Sequence, residues 1–146
     1  MLLCAAVASL GSVVTAPQIP AWYAGLAKPS WTPPNAAFPV AWTILYIMMA
    51  LALWRLWDHV PSPVRNRAIT LFLIQLALNA IWSPVFFGLH AVRSGLVIIV
   101  FLFLALAMTI AAAARTDRVA ALLLVPYLLW VCYATTLNMG IVALNP

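Results

Sequence analysis

Five apolar stretches separated by short polar connections dominate the pattern of the chain. They cover residues 2–16, 36–57, 66–88, 94–114 and 118–143. A bilayer core about 30 Å thick needs roughly 20 helical residues, and four of the stretches reach or nearly reach that length. Each is a continuous apolar run, without the alternation of apolar and polar residues typical of barrel strands. The pattern predicts an all-α integral membrane protein, a single domain over residues 1–146 built as a bundle of five transmembrane helices.

The first stretch is the shortest and has two interpretations. Val14-Thr15-Ala16 has the small-residue character of a signal-peptide cleavage site, so a cleaved signal is an alternative to a membrane helix. A secretory signal normally opens with positive charge, and no lysine or arginine precedes this run. A retained first helix is therefore the favoured interpretation.

Composition agrees with a membrane location. Hydrophobic residues make up 67% of the chain and charged residues 6%, whereas soluble domains have about 25% charged residues. The formal net charge is +5, but the cations are few and lie at the ends of the apolar stretches. That arrangement is typical of charges that set topology. We therefore expect contact with membrane lipid and no nucleic-acid partner.

The same cations predict an orientation. With five spans, the N-terminus shares a side of the membrane with Arg55, Arg65, Arg67, Arg115 and Arg118. The opposite side has Lys28 and Arg93. By the positive-inside rule, the N-terminus is cytoplasmic, and the first loop and the C-terminus lie on the opposite side.

Aromatic and polar side chains share one face in each of three helices. The faces contain Trp42 and Tyr46 in the second helix, Asn79, Trp82, Ser83 and Phe86 in the third, and Tyr127, Trp130, Ala134 and Asn138 in the fifth. An unpaired amide is costly in lipid, so we expect these faces to point inward. Hydrogen bonds between helices explain the amides as well as a ligand pocket does. An aromatic pocket with few polar groups would suit a large flat lipophilic ligand.

The fourth helix and the titratable residues limit the chemistry. From Val97 onward, the fourth helix has Thr109 as its one polar side chain, which predicts that it faces lipid or a second subunit. Small residues at four-residue spacing there, such as Ala105 and Ala113 around Thr109, allow a homodimer.

No charged residue lies at mid-membrane depth, and no metal-ligand spacing occurs. His59 and His90 fall on opposite sides of the membrane. We expect no metal site and no conventional acid–base catalysis.

The connection over residues 17–35 is the one loop long enough to cover the bundle, and it is predicted to act as a lid. It contains the sequence WYAGLAKPSWTPP at residues 22–34. Its prolines restrict the backbone and so lower the entropy cost of one fixed shape. Trp22, Tyr23 and Trp31 either point into the pocket or anchor the loop at the membrane interface. Lys28 either pairs with a ligand carboxylate at the pocket mouth or anchors the loop in the same way.

Four segments together resemble a known family. WYAGLAKPSWTPP, FPVAWTILY (38–46), QLALNAIWSPVFFG (75–88) and VPYLLWVCYATTLN (125–138) resemble the first-loop and helix signatures of the translocator proteins, also called tryptophan-rich sensory proteins or peripheral-type benzodiazepine receptors. The resemblance implies five membrane helices around a pocket capped by the first loop. Family members bind porphyrins and haem-type tetrapyrroles, some bind sterols, and many bind synthetic isoquinoline carboxamides and benzodiazepines. Some bacterial members are reported to promote light-dependent protoporphyrin breakdown, and others are regulators of stress or pigment synthesis.

The family's pocket residues carry over by motif. The resemblance implies a pocket lined by Trp22, Tyr23, Trp42, Tyr46, Asn79, Ser83, Phe86, Trp130 and Ala134. Trp42 and Trp130 match the tryptophan pair associated with porphyrin chemistry. The sequence departs from animal members at Met139, which replaces a tyrosine and is followed by no basic residue. We therefore do not expect sterol recognition. We expect a bacterial source.

The expected function is tetrapyrrole binding in the membrane, with porphyrin or haem as ligand, no required cofactor, and a sensory or regulatory role. One alternative is a light-dependent porphyrin-degrading enzyme in which Trp42 and Trp130 are the catalytic residues. A second alternative is a small transporter of lipophilic cargo. The lack of an internal repeat and of membrane-buried charges argues against the transporter.

Overall fold

The computed structural model describes all 146 residues, and its regular structure is entirely helical. The helices are α1 (Leu2–Thr15), α2 (Ala37–Asp58), α3 (Pro63–Ser83), α4 (Val92–Ala113) and α5 (Arg118–Leu144), with a 3₁₀ turn at Tyr23–Gly25 and a π-helical turn at Pro84–Gly88. Four of them, with α3 continued through the π turn, are long and apolar enough to cross a membrane. This confirms an all-helical membrane protein. The shorter α1 has 14 residues and rises about 21 Å.

α3 begins at Pro63, three residues before the predicted start. The Ser62 hydroxyl accepts a hydrogen bond from the Arg65 N–H at 3.1 Å, and Pro63 occupies the first helical position. A serine cap and a proline that needs no N–H partner are favoured at a helix start. The apolar pattern begins later than the helix because the first turn contains arginines, which helices tolerate at a membrane surface.

Arg65 also closes the end of the preceding helix. Its guanidinium donates to the carbonyls of Leu56 at 3.2 Å and Trp57 at 2.7 Å. It also lies over the Trp57 ring at 5.0 Å. The last carbonyls of a helix have no partner within the helix, so these bonds fix the α2–α3 connection.

α4 packs against α3 and α5, whereas α1 packs against α2 and α3. Leu102, Leu106 and Thr109 of α4 are buried, and Phe101 and Leu104 are exposed. The Thr109 hydroxyl donates to the Ala105 carbonyl at 2.7 Å and is thereby satisfied within its own helix. The outer face of α4 is therefore apolar and uncovered, and the helix supplies a supporting wall behind α3 and α5.

Candidate ligand-binding cavity

A cavity of about 480 Å³ lies in the half of the bundle next to the first loop. Its walls come from α1, α2, the end of α3, the middle of α5 and the first loop. The lining residues are Ala8, Gly11, Ser12, Thr15, Ala16, Ile19, Pro20, Tyr23, Asn35, Ala36, Phe38, Pro39, Trp42, Thr43, Tyr46, Asn79, Trp82, Ser83, Phe87, Trp130 and Ala134. This volume falls within the range of small-molecule sites, about 300–1,000 Å³.

Aromatic rings form much of the wall. The rings of Trp42 and Trp130 are 6.3 Å apart at 82°, and Phe38 lies edge-on to Trp130 at 6.1 Å. Tyr46 lies 5.7 Å from Trp42, one helical turn further along α2. Edge-to-face pairs at these distances are favourable and fix the ring orientations. The result is a set of rigid flat surfaces from α2 and α5.

A chain of three polar side chains closes the inner end. The Tyr46 hydroxyl donates to Asn79 Oδ1 at 3.3 Å, and Asn79 Nδ2 donates to the Tyr127 hydroxyl at 2.7 Å. Asn79 and Tyr127 are buried, and Tyr127 is fully inaccessible. Each buried polar group therefore has a partner, which such groups require. This chain ties α2, α3 and α5 together directly beneath the cavity.

The lining carries no formal charge. It contains no Asp, Glu, Lys, Arg or His, and no Cys or Met. Burial, reinforced by nearby Tyr133, raises the pKa of Tyr23 above its usual value, so the loop side is neutral too. The Trp82 and Trp130 indole N–H groups are buried without an acceptor. The cavity thus offers aromatic surface and a few neutral polar groups.

The exposed part of the lining shows where the cavity opens. Ser12 of α1, Ala16 just beyond it, and Pro39 and Thr43 of α2 are exposed. Tyr23, Asn79 and Trp82 are buried. The mouth therefore lies along the α1–α2 side, and the closed end lies against α3 and α5.

Comparison with known proteins shows which family this chain belongs to. The TspO/MBR family model matches residues 1–144. The chain belongs to the TspO/MBR family. It is 46% identical over 145 residues to the tryptophan-rich protein TspO of Chlorobaculum tepidum, covering 99% of this chain and 92% of that protein. It is 38% identical over 142 residues to the tryptophan-rich sensory protein of Cereibacter sphaeroides, covering 97% and 86%. It is 39% identical over 119 residues to the human translocator protein, covering 80% and 70%.

Seven of the residues predicted for the site lie together on the cavity of this TspO/MBR protein. They are Tyr23, Trp42, Tyr46, Asn79, Ser83, Trp130 and Ala134. The structure places the remaining six off the lining: Trp22, Lys28, Trp31, Phe86, Tyr127 and Asn138. Tyr127 supports the wall from behind, through Asn79 and through an edge contact with Trp42 at 6.2 Å. Asn138 is buried and donates to the Val92 carbonyl at 3.0 Å, tying α5 to α4.

The loop residues Lys28 and Trp31 have structural partners. The Lys28 ammonium donates to the carbonyls of Tyr23 at 2.8 Å, Leu26 at 3.0 Å and Ala24 at 3.3 Å. It also lies 4.9 Å from the centre of the Tyr23 ring. All three ammonium hydrogens are thus used inside the loop. Trp31 is 53% exposed, and its carbonyl accepts from the Tyr133 hydroxyl.

Phe87 lines the cavity where the sequence pattern indicated Phe86. Pro84 opens a π-helical turn that continues to Gly88. A π turn contains an extra residue, so side chains beyond it are rotated relative to a regular helix. Phe86 instead faces α4, where a Cβ on Gly95 would lie 2.9 Å from its ring. The proline inside an apolar helix was the available signal of irregularity.

The sequence pattern did not predict the contribution of α1 to the cavity lining. Gly11, Ser12 and Thr15 line the cavity, but α1 has no aromatic residue and no polar stripe to attract notice. Gly11 lies against Ser83, whose Oγ would be 3.6 Å from a Cβ at this position. Small residues that let two helices approach carry no chemical signature of their own. A sequence pattern read helix by helix therefore does not find them.

Proposed function

We propose that this TspO/MBR protein binds porphyrins or similar flat tetrapyrroles in the cavity and has a sensory or regulatory role. The observation that carries the proposal is the neutral aromatic lining, in which Trp42, Tyr46 and Trp130 present ring surface to the cavity. A tetrapyrrole macrocycle is flat and apolar, so it gains both burial and stacking there. The sensory role is supported by the name of the Cereibacter sphaeroides relative, a tryptophan-rich sensory protein.

The uncharged lining restricts how such a ligand would sit. Burying a carboxylate without a charged partner is costly, so the propionates of a porphyrin would stay at the exposed mouth near Ser12 and Thr43. The lining also offers no histidine, cysteine or methionine to the iron of a haem. Tyrosine is the one common haem-ligand type on the lining, and the Tyr46 hydroxyl is already hydrogen-bonded to Asn79. We therefore expect metal-free porphyrin to bind about as well as haem.

A titration of the protein in nanodiscs with protoporphyrin in the dark tests binding. We expect saturable quenching of tryptophan fluorescence, and weaker affinity for Trp42→Ala. Trp54→Ala is the matched control, because Trp54 is on the same helix, 54% exposed, and absent from the lining. Quenching that does not saturate, or equal losses for both variants, would refute binding in this cavity.

A second candidate function is light-dependent porphyrin degradation. The specific observation is the pair Trp42 and Trp130, whose rings are 6.3 Å apart and both line the cavity. A bound photosensitising porphyrin would lie within contact of two oxidisable indoles. No acid–base residue is needed for chemistry initiated by light and molecular oxygen.

Illumination of the protoporphyrin complex separates the two functions. If the second function holds, a new absorbing product forms under light, and the Trp42→Phe/Trp130→Phe double variant forms none while retaining binding. Product formation that survives in the double variant would show that the indoles are bystanders. Saturable dark binding with no photoproduct would leave binding as the function.

A further inference from the structure

The second half of the first loop is fixed on α5. The Asn145 side-chain amide accepts from the Ala27 N–H at 3.2 Å and donates to the Ala27 carbonyl at 2.9 Å. Pro29 is buried and lies over Gly140, where an added Cβ would be 2.2 Å from its ring. The Tyr133 hydroxyl donates a hydrogen bond to the Trp31 carbonyl. These contacts attach residues 27–31 along one helix.

The first half of the loop packs its buried Tyr23 against Phe87 and is further held at the surface by His90 in the α3–α4 connection. The imidazole is stacked on the Trp22 indole, with centroids 4.3 Å apart and planes 14° apart. His90 Nε2 lies 3.0 Å from Gln18 Oε1. His90 is exposed, so both contacts form at the surface of the molecule.

The backbone at His90 is also unusual. Its φ is 54°, the one positive φ in the chain, and no glycine has one. This left-handed conformation is disfavoured for residues that carry a Cβ and is easily adopted by glycine. A strained residue is maintained where other interactions compensate, and such strain is concentrated at functional positions. Here the side chain at the strained position makes both contacts to the loop.

We propose that His90 is a latch for the first loop. Residues 17–26 open as a flap over the cavity, while residues 27–31 remain on α5. Ile19, Pro20 and Tyr23 line the cavity, so opening of this half enlarges the existing mouth. His90 is a positioning residue that controls how often the flap opens. Its effect on porphyrin exchange rests on the function proposed above, whereas the latch itself does not.

Hydrogen exchange of the ligand-free protein in nanodiscs, read by mass spectrometry, tests the latch in the variant His90→Gly. Glycine suits the backbone at this position, so the fold is retained. The N–H groups of Tyr23 and Gly25 are hydrogen-bonded within the loop, that of Ile19 donates to the Thr15 carbonyl at the end of α1, and all three report opening. We expect exchange in residues 17–26 to rise about tenfold, the size expected for one aromatic pair and one hydrogen bond. Exchange in residues 27–32, α3 and α4 should not change.

Two further variants sharpen the result. His90→Asn tolerates the same backbone and keeps a hydrogen-bonding side chain without the ring, so its exchange should be intermediate. His59→Ala, at the opposite end of the bundle, should leave the loop unchanged. Unaltered exchange of residues 17–26 in His90→Gly would overturn the latch. So would an equal rise in α3 and α4, which would mean general destabilisation.

Protoporphyrin kinetics then tests the consequence for the ligand. His90→Gly should raise the association and dissociation rate constants by a similar factor, with little change in Kd, because the flap opens more often. Equal rates in both proteins would refute control of entry by His90. A failure of the unaltered protein to bind protoporphyrin would count against the proposed function alone, since the exchange experiment uses no ligand.

Discussion

Asn79 gives the cavity its polar end and joins three helices at the same point. Its oxygen accepts from Tyr46 on α2, and its nitrogen donates to Tyr127 on α5. Asn138 has the simpler role of binding a backbone carbonyl of α4. Hydrogen bonds between helices therefore account for both buried amides, and Asn79 also lines the cavity. Nothing in the structure explains Gln75, whose amide is fully buried without a hydrogen-bond partner.

Asn79→Leu should destabilise the protein by about 1–2 kcal/mol, because two tyrosine hydroxyls lose their shared partner inside the bundle. Thermal unfolding in detergent measures the change. Ser83→Ala is the matched control on the same helix, since the Ser83 hydroxyl lines the cavity and makes no hydrogen bond to another helix. Equal unfolding midpoints for the two variants would contradict the role given to Asn79.

Gly140→Ala should displace the first loop from α5. The new Cβ would lie 2.2 Å from Cγ of Pro29, whose ring cannot rotate away, so the loop backbone must move. We expect a loss of about 1–3 kcal/mol in stability. Gly25→Ala in the same loop meets no atom within 4 Å and should be neutral. Thermal unfolding of both variants measures the two effects. An unchanged unfolding midpoint for Gly140→Ala would show that the loop does not pack on α5 as described.

At the scale of elements, the carboxylate of Asp117 connects the end of α2 to the start of α5. Asp117 caps α5 by accepting from the Val119 and Ala120 N–H groups at 2.8 and 3.2 Å. Its other oxygen accepts from Arg55 Nε at 2.8 Å. Burial alone would raise the pKa of Asp117, but the hydrogen bonds from Arg55, Ala120 and Val119 outweigh it and lower the pKa below its ordinary value.

Asp117→Asn should therefore cost stability in a pH-dependent way. The folded-state pKa is depressed, so the contribution is present above the unfolded-state value and is lost as the pH falls through the folded-state value. Arg55 is partly exposed and solvent screens the pair, so we expect about 1 kcal/mol at pH 7. Unfolding midpoints of the two proteins should differ equally from pH 7 to about 4 and converge at lower pH. Asp58→Asn, which removes an exposed carboxylate without an ion pair, should show no such pH-dependent difference.

At the scale of the whole molecule, the Arg55–Asp117 pair places the α2–α3 and α4–α5 connections at the same end of the bundle. Five arginines lie at this end, and Lys28 and Arg93 lie near the first loop. This distribution of charge favours a cytoplasmic location for the arginine-rich end.

Cysteine labelling in intact cells tests that orientation. In a background with Cys4 and Cys132 replaced by alanine, Ser30→Cys should react with a membrane-impermeant maleimide, and Pro61→Cys should react only after lysis. Both positions are exposed and lie in connections. The reverse labelling pattern would show the opposite orientation.

The sequence by itself determined that the protein is an all-helical membrane protein of this family. Long apolar runs with 6% charged residues leave no other way to satisfy the backbone in lipid, and the family's motifs are contiguous in the chain. It also predicted that Trp42, Tyr46, Asn79 and Trp130 face the interior, where they line the cavity, because each lies on a regular helix whose 3.6-residue period can be read directly.

Only the tertiary structure decided the rest of the site. Phe87 replaces Phe86 on the lining because a π turn shifts the register, and α1 contributes through small residues that have no signature. Lys28 is occupied by three carbonyls of its own loop, and His90 meets Gln18 across 72 residues of sequence. Helical periodicity is a local property that a sequence carries. The contacts of an irregular segment depend instead on which residues, distant in the sequence, lie next to it in the packed bundle.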